Sequence, residues 1–216
     1  MQGAVVYPWI MDVGEATGLA ASKSHDPDAI DVARYQTGNS EAFESLVSRH
    51  ERATFQVCVR MLGDREDALD AVQETFLRVY RALNSFRGDA TFRTWLVGIA
   101  LNVCRNKLAS AAERNRKVTS SITQEDPENG EVRDVELRDC APDPESAVMG
   151  RELRTALERA LENLAPEHRE ILVLREIQDM EYEELAQVLS CPVGTVKSRL
   201  CRARQALREA MVGLWP

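Results

Sequence analysis

Between residues 110 and 143 the chain has almost nothing to bury. From residue 125 to 145, Glu125, Asp126, Glu128, Glu131, Asp134, Glu136, Asp139, Asp143 and Glu145 face only Arg133 and Arg138, among the breakers Pro127, Gly130, Pro142 and Pro144. So few apolar side chains cannot offset the entropy of ordering such a segment, so it predicts a flexible acidic linker rather than a domain. The apolar periodicity on either side must then close into small cores of its own.

On the N-terminal side the period is helical from Pro27 to about Leu108. Phe43, Leu46 and Val47 share one face, followed by Phe55, Val59 and Leu62. Leu69, Val72, Phe76, Val79, Tyr80 and Leu83 form an apolar stripe closed by the turn-like Arg87-Gly88-Asp89. A last helix from about Thr91 to Leu108 spaces Trp95, Ile99 and Val103 four residues apart. On the C-terminal side Leu153, Ala156, Leu157, Ala160, Leu161 and Leu164 keep the same period, Pro166 interrupts it, and Ile171, Leu172 and Leu174 resume it. Strand-like alternation and internal repeats are absent from the sequence. The expected fold is all-α: a loose tail at 1–27, a helical domain at 28–109, the linker at 110–143 and a second helical domain at 144–216.

Several function classes fall away. The 216 residues, 44% hydrophobic and 29% charged, contain no apolar run near the roughly 20 residues that span a bilayer. The N-terminus has no basic flank before its short apolar patch, so a cytoplasmic protein with no membrane insertion is expected. The five cysteines are scattered without a C-x-x-C pair, and the three histidines form no E-x-x-H motif. A phosphate loop of the G-x-x-x-x-G-K type is also missing. The reading is therefore of a non-enzyme without metal or cofactor.

A net charge of −8 taken as a sum argues against nucleic acid, since affinity for phosphates comes from lysine and arginine. The charges are unevenly placed, however. From Val193 to Arg208 the chain carries Lys197, Arg199, Arg202, Arg204 and Arg208 with no acid. That run follows a short predicted helix, Tyr182 to Ser190, and a turn at Cys191-Pro192-Val193, which together make a helix-turn-helix pattern. In the second helix Val196, Leu200, Ala203 and Leu207 fall on one narrow arc and must pack inward. Ser198, Cys201, Arg202 and Gln205 then face outward toward a major groove, with Lys197, Arg199 and Arg204 at the flanks for phosphates and Thr195 at the helix start. Ser190 stands at a turn position where glycine is useful because it tolerates positive φ.

Two segments of the N-terminal half carry a resemblance. The run from Asp70 to Leu83 resembles the region-2 helix with which sigma factors grip the clamp helices of the largest RNA polymerase subunit, and Asp70, Gln73 and Glu74 match the contact positions. These three are also neighbours on one helix face by spacing alone. The run from Ser85 to Asn106 is similar to the loop and helix that open the minus-10 promoter element. Phe86, Arg87, Gly88, Asp89, Ala90, Thr91 and Phe92 match the base-capturing loop, and Asn102, Arg105 and Asn106 match the reading helix. Aromatic rings, arginines and asparagines suit unpaired bases, which offer a stacking face and free edges. Trp95 fits a buried structural role better than base stacking.

The resemblance covers roughly residues 30 to 108 and 145 to 210, and identifies the chain as a member of the extracytoplasmic-function sigma factors of the sigma-70 family. It implies a region 2 domain for core-polymerase binding and minus-10 melting, and a region 4 domain for minus-35 recognition through Thr195, Lys197, Ser198, Arg199, Cys201, Arg202 and Gln205. The implied partners are core RNA polymerase, through its clamp helices and the flap of its second-largest subunit, promoter DNA, and an anti-sigma factor that releases the protein under stress. Two other readings compete. A helix-turn-helix regulator that never joins polymerase leaves the Asp70 to Asn106 segment unexplained, and a helical enzyme using Asp67, Asp70 and Glu74 lacks nearby histidines or a phosphate loop.

Overall fold

The computed structural model describes residues 26–119, 153 and 155–212. The expected loose tail up to residue 25, most of the acidic linker and the extreme C-terminus lie outside the described residues, while Asp26 and Pro27, also expected in the tail, begin the first helix. The N-terminal helices are α1 (Pro27–Gln36), α2 (Glu41–Leu62), α3 (Arg65–Ala82) and α4 (Phe92–Thr119), with a single 3-10 turn at Leu83–Ser85. The C-terminal helices are α5 (155–162), α6 (Pro166–Leu172), α7 (Tyr182–Val188) and α8 (Val193–Val212), and α6 runs on through a π-helical turn at Val173–Ile177. Strands are absent among the described residues, and none of these helices is long and apolar enough to cross a membrane.

Local chemistry explains most boundaries. The Asp26 side chain accepts from the Asp28 N–H while Pro27 occupies the first turn of α1, where its missing N–H costs nothing. α2 stops at Gly63, whose φ of 77° is left-handed, and Asp64 then caps α3 by accepting from the Asp67 N–H at 2.8 Å. Thr91 Oγ1 accepts from the Thr94 N–H at 3.1 Å where α4 begins. Pro166 opens α6, and a reciprocal capping box between Glu181 and Glu184 opens α7. α4 continues to Thr119, about ten residues into the segment expected to be linker. Ala111 and Ala112 are good helix formers, and the stretch precedes every breaker.

The core has two parts. A smaller cluster joins Val32, Leu46, Phe76, Val79, Leu83, Phe92 and Leu96, with the Phe86 and Trp95 rings packed on its edge. The larger runs without a break from Val57, Met61, Val97 and Leu101 to Leu161, Ile171, Leu174, Leu185 and Leu200. The two helical halves, expected to keep separate cores, thus share one. Burial of each such leucine stabilises by roughly 1.5–3 kcal/mol, and leucines from both halves contribute to this one cluster.

The apolar stripe expected on α3 is only partly buried. Val79 and Leu83 are fully enclosed and Phe76 nearly so, but Leu69 is 43% and Tyr80 50% exposed. The face is wider than the space α2 and α4 leave for it, and Leu77, outside the stripe, is 50% exposed as well.

Candidate functional site

The helix-turn-helix positions its residues by burial. Val196, Leu200, Ala203 and Leu207 are all 3% exposed or less. With that face fixed, Ser198, Cys201, Arg202 and Gln205 stand in solvent on the opposite side, Lys197 is exposed beside them, and Thr195 and Arg199 are half-buried. Among the described residues Arg202 reaches only the Ser198 carbonyl in its own helix, at 3.3 Å, which leaves most of its guanidinium donors for a ligand. Arg204 differs from its neighbours. It gives two hydrogen bonds to Glu176 Oε1, at 3.0 and 2.8 Å, and both side chains are largely covered. Expected to reach phosphates, Arg204 instead ties α8 to the π-helical turn. The Ser190 backbone has a φ of 50°, the left-handed conformation anticipated for that turn.

On α3, Asp70 and Gln73 are exposed and Glu74 is half-exposed, on one outward face. Glu74 accepts from Arg78 Nε at 2.7 Å one turn away. Lys107 of α4 reaches across to Asp67 at 3.1 Å and Asp70 at 3.5 Å, a contact no periodicity signals because the residues are 40 and 37 apart. The exposed Leu69 and Leu77 lie four residues before and after Gln73, so the acidic and amide patch is framed by apolar side chains. Sequence reasoning placed Leu69 inside and overlooked Leu77.

The loop before α4 divides in two. Arg87, Gly88, Asp89 and Thr91 are exposed and Ala90 half-exposed, and Gly88 takes a φ of 76° that favours glycine. Phe86 is half-buried, its ring centroid 4.8 Å from that of Trp95. Phe92 requires a correction. Expected in the base-capturing loop, it is 2% exposed, with His50 at 5.4 Å and Trp95 at 6.1 Å between ring centroids. Neither face of its ring is open to a base, and its role is to anchor the start of α4 in the core.

Along α4, Asn102 and Asn106 project into solvent. Arg105 does not stand free beside them. Its Nε and Nη2 each bond a different oxygen of Glu170 at 2.7 Å, and Nη1 reaches Asn102 Oδ1 at 3.3 Å. The hydrogen bonds that Arg105 donates to the Glu170 carboxylate hold the Arg105 pKa above its ordinary value. Glu170 lies on α6, in the C-terminal half, and is 5% exposed. Nothing in the sequence marks this pair, since 65 residues separate its members.

Comparison with known proteins follows this geometry. The sequence matches the family model described as Sigma-70 region 2 over residues 46–114 and that described as Sigma-70, region 4 over residues 154–207. The chain is similar to the RNA polymerase sigma-H factor of Pseudomonas aeruginosa, at 39% identity over 180 residues, 83% of this chain and 91% of that protein. It is also similar to the ECF RNA polymerase sigma-E factor of Escherichia coli K12, at 39% identity over 83% of this chain and 92% of that protein. Among solved structures it resembles CnrH in complex with the cytosolic domain of CnrY, at 28% identity with a TM-score of 0.60, covering 87% of this chain and 99% of that one. The sigma factor RpoE of Bartonella quintana, in complex with the anti-sigma factor NepR, shares the fold at 24% identity and a TM-score of 0.56, over 78% and 96% of the two chains.

Proposed function

We propose a mechanism for a chain that belongs to the sigma-70 family of RNA polymerase sigma factors, in its extracytoplasmic-function group. As an alternative sigma factor it joins core RNA polymerase and directs initiation at its own promoters, in the manner of a stress-responsive regulator. It acts by binding rather than by catalysis, where the DNA is, in the cytoplasm. An anti-sigma protein is the partner that would withhold it.

The two helical halves divide the work. Residues of the N-terminal half, about 28–109, hold polymerase and the melted minus-10 strand, while about 144–216 read the minus-35 duplex. The observation that supports this most is the two-sided α8: a fully buried stripe beneath an outer face of Ser198, Cys201, Arg202 and Gln205. That face suits a major groove, with Thr195, Lys197 and Arg199 beside the phosphates. On α3, Asp70, Gln73 and Glu74 are offered to the clamp helices, with Leu69 and Leu77 adding apolar area around the polar contacts. Arg87, Gly88, Asp89, Ala90 and Thr91 with Phe86 form the rim against which unstacked bases are caught, and Asn102, Arg105 and Asn106 read their edges. Unpairing costs about 1.4 kcal/mol per stacked step, so captured bases and polymerase contacts must offset it together.

The mechanism requires the two functions to separate. Arg202→Ala removes an exposed side chain, so promoter selectivity should fall by about 1–3 kcal/mol at one upstream base pair with polymerase affinity intact. Glu74→Lys should weaken core-polymerase binding and leave upstream selectivity intact, since it opposes a basic partner with a like charge. Titration of core polymerase with each variant, followed by run-off transcription from promoters altered singly in the upstream element, reads both. Normal polymerase binding by Glu74→Lys, or normal upstream selectivity with lost polymerase affinity in Arg202→Ala, refutes the assignment.

A further inference from the structure

The cations of the helix-turn-helix are held in different ways. Arg204 is paired with Glu176 through bonds of 3.0 and 2.8 Å, which occupy its donors and offset its charge. Lys197 is exposed and has no carboxylate partner among the described residues. Its ammonium lies instead over the ring of Tyr182, 5.6 Å from the centroid. Tyr182 opens α7 and is half-buried, packed against the larger apolar cluster. Arg175 lies over the same ring at 5.1 Å, fixed by its bond to the Met180 carbonyl at 2.7 Å and by Glu181 at 3.6 Å. The ring is thus anchored on its own side of the motif before Lys197 meets it.

An aromatic face and a carboxylate hold a cation with different consequences. A carboxylate offsets the charge and takes up N–H donors that a phosphate would use. A ring attracts the cation through its quadrupole, leaves the whole charge in place and keeps the ammonium donors available. It also restrains a flexible stem, so less rotamer freedom remains to be lost when DNA binds. In a helix-turn-helix the first helix crosses the DNA backbone while the second enters the groove. The contact between Tyr182 on α7 and Lys197 on α8 joins those two elements.

We propose that Tyr182 is a positioning residue for minus-35 binding, whose ring pre-orders Lys197 toward a backbone phosphate without neutralising it. The inference rests on the reading of Lys197 as a phosphate contact. Its effect falls on affinity and salt dependence rather than on sequence choice, because a phosphate carries no base identity. Matched and altered upstream elements should therefore be weakened alike when the ring is lost.

Holoenzyme assembled from core polymerase and each full-chain variant is titrated onto a duplex carrying a mapped minus-35 element, at several salt concentrations. Tyr182→Leu should weaken binding about two- to fivefold and flatten the salt dependence by up to about one phosphate contact. Tyr182→Phe keeps the ring and should restore the affinity. Phenylalanines of rising fluorine content at position 182 keep the shape but drain the quadrupole, so affinity should fall with each step. In a Lys197→Met background none of these changes should matter. If Lys197→Met weakens binding and flattens the salt dependence while Tyr182→Leu and the fluorinated series do neither, the positioning role is refuted and the phosphate contact stands. If the loss in Tyr182→Leu persists in full when Lys197→Met is also present, the ring acts through packing and the proposal falls. If Lys197→Met changes neither quantity, Lys197 does not touch a phosphate and the proposal falls with that reading.

Discussion

The helices proposed to read DNA, α4 and α8, are built in opposite ways. α8 is amphipathic in the simple sense, with one stripe buried and one face in water. α4 is enclosed on several sides: Phe92, Thr94, Leu96, Val97, Ala100, Leu101, Val103 and Cys104 are all buried, and its exposed positions are interrupted by contacts to the other half. A helix with one dry face can present a recognition surface at all times. One that carries the core of two halves leaves Asn102 and Asn106 in solvent but holds Arg105 in a pair with Glu170.

The largest test of this contrast is core truncation. Leu101 of α4 and Leu200 of α8 are both enclosed, and replacing either with alanine should cost about 2–5 kcal/mol. Because one apolar cluster contains both residues, either variant should lower a single thermal transition of the whole described body rather than melt one half alone. Differential scanning calorimetry gives the answer. Two resolved transitions, only one of them shifted, would mean that the halves keep independent cores.

What was legible in the sequence follows the same line. The α8 stripe is legible residue by residue because between Lys197 and Arg208 the only large aliphatic side chains, Leu200 and Leu207, share one face with Val196 and Ala203. The left-handed turn at Ser190 was likewise visible in local chemistry. Phe92 was misplaced because position within a motif says nothing about burial, and an aromatic beside a loop serves equally as core. The period predicts Leu69 and Tyr80 inward, but period alone does not say how wide a face the neighbours can cover. The Arg105–Glu170 and Arg204–Glu176 pairs were invisible, since they join residues 65 and 28 apart whose meeting depends on the finished fold. The acidic linker expectation falls mainly on residues outside the described range, apart from the part of it that continues α4.

A second difference concerns charge. The junction of α1 and α2 holds Asp28, Asp31 and His50 nearly buried, with His50 Nε2 2.7 Å from Asp28, Arg49 2.9 Å from Asp31, and Arg49 also paired to Asp28. Burial raises the Asp28 pKa, but hydrogen bonds and positive charge from His50 and Arg49 outweigh it, leaving the carboxyl below its ordinary 3.8. A carboxylate with a lowered folded pKa stabilises fully above the unfolded value, and that contribution is lost as pH falls through the folded one. Asp28→Asn should therefore cost on the order of 1–3 kcal/mol near neutral pH, for a hydrogen bond to charged groups. The gap from wild type should close below pH 3.8. Urea unfolding at several pH values measures it, and a gap that widens on acidification would contradict the sign. The C-terminal Arg204–Glu176 pair anchors a helix-turn-helix in the same way.

The smallest effect lies in the turns, where the halves differ again. The N-terminal half uses glycine where φ is positive, at Gly38, Gly63 and Gly88, whereas the C-terminal half uses Asp179 and Ser190, both at 50°. A side chain in the left-handed region costs about 1–2 kcal/mol, part of which glycine would return through its greater freedom in the unfolded chain. Ser190→Gly should thus stabilise by about 0.5 kcal/mol net, or roughly 1–2 °C for a chain of this size. The reverse change, Gly63→Ala, should destabilise by more: it meets the same backbone strain and brings a Cβ to 3.3 Å from Glu162 Oε1 across the closed halves. Ser190 is exposed and off the outer face of α8, so its replacement should leave upstream promoter selectivity unchanged. Loss of selectivity in Ser190→Gly would instead mean that the strained turn sets the angle at which α8 enters the groove, and that the exposed helix is as dependent on its support as the covered one.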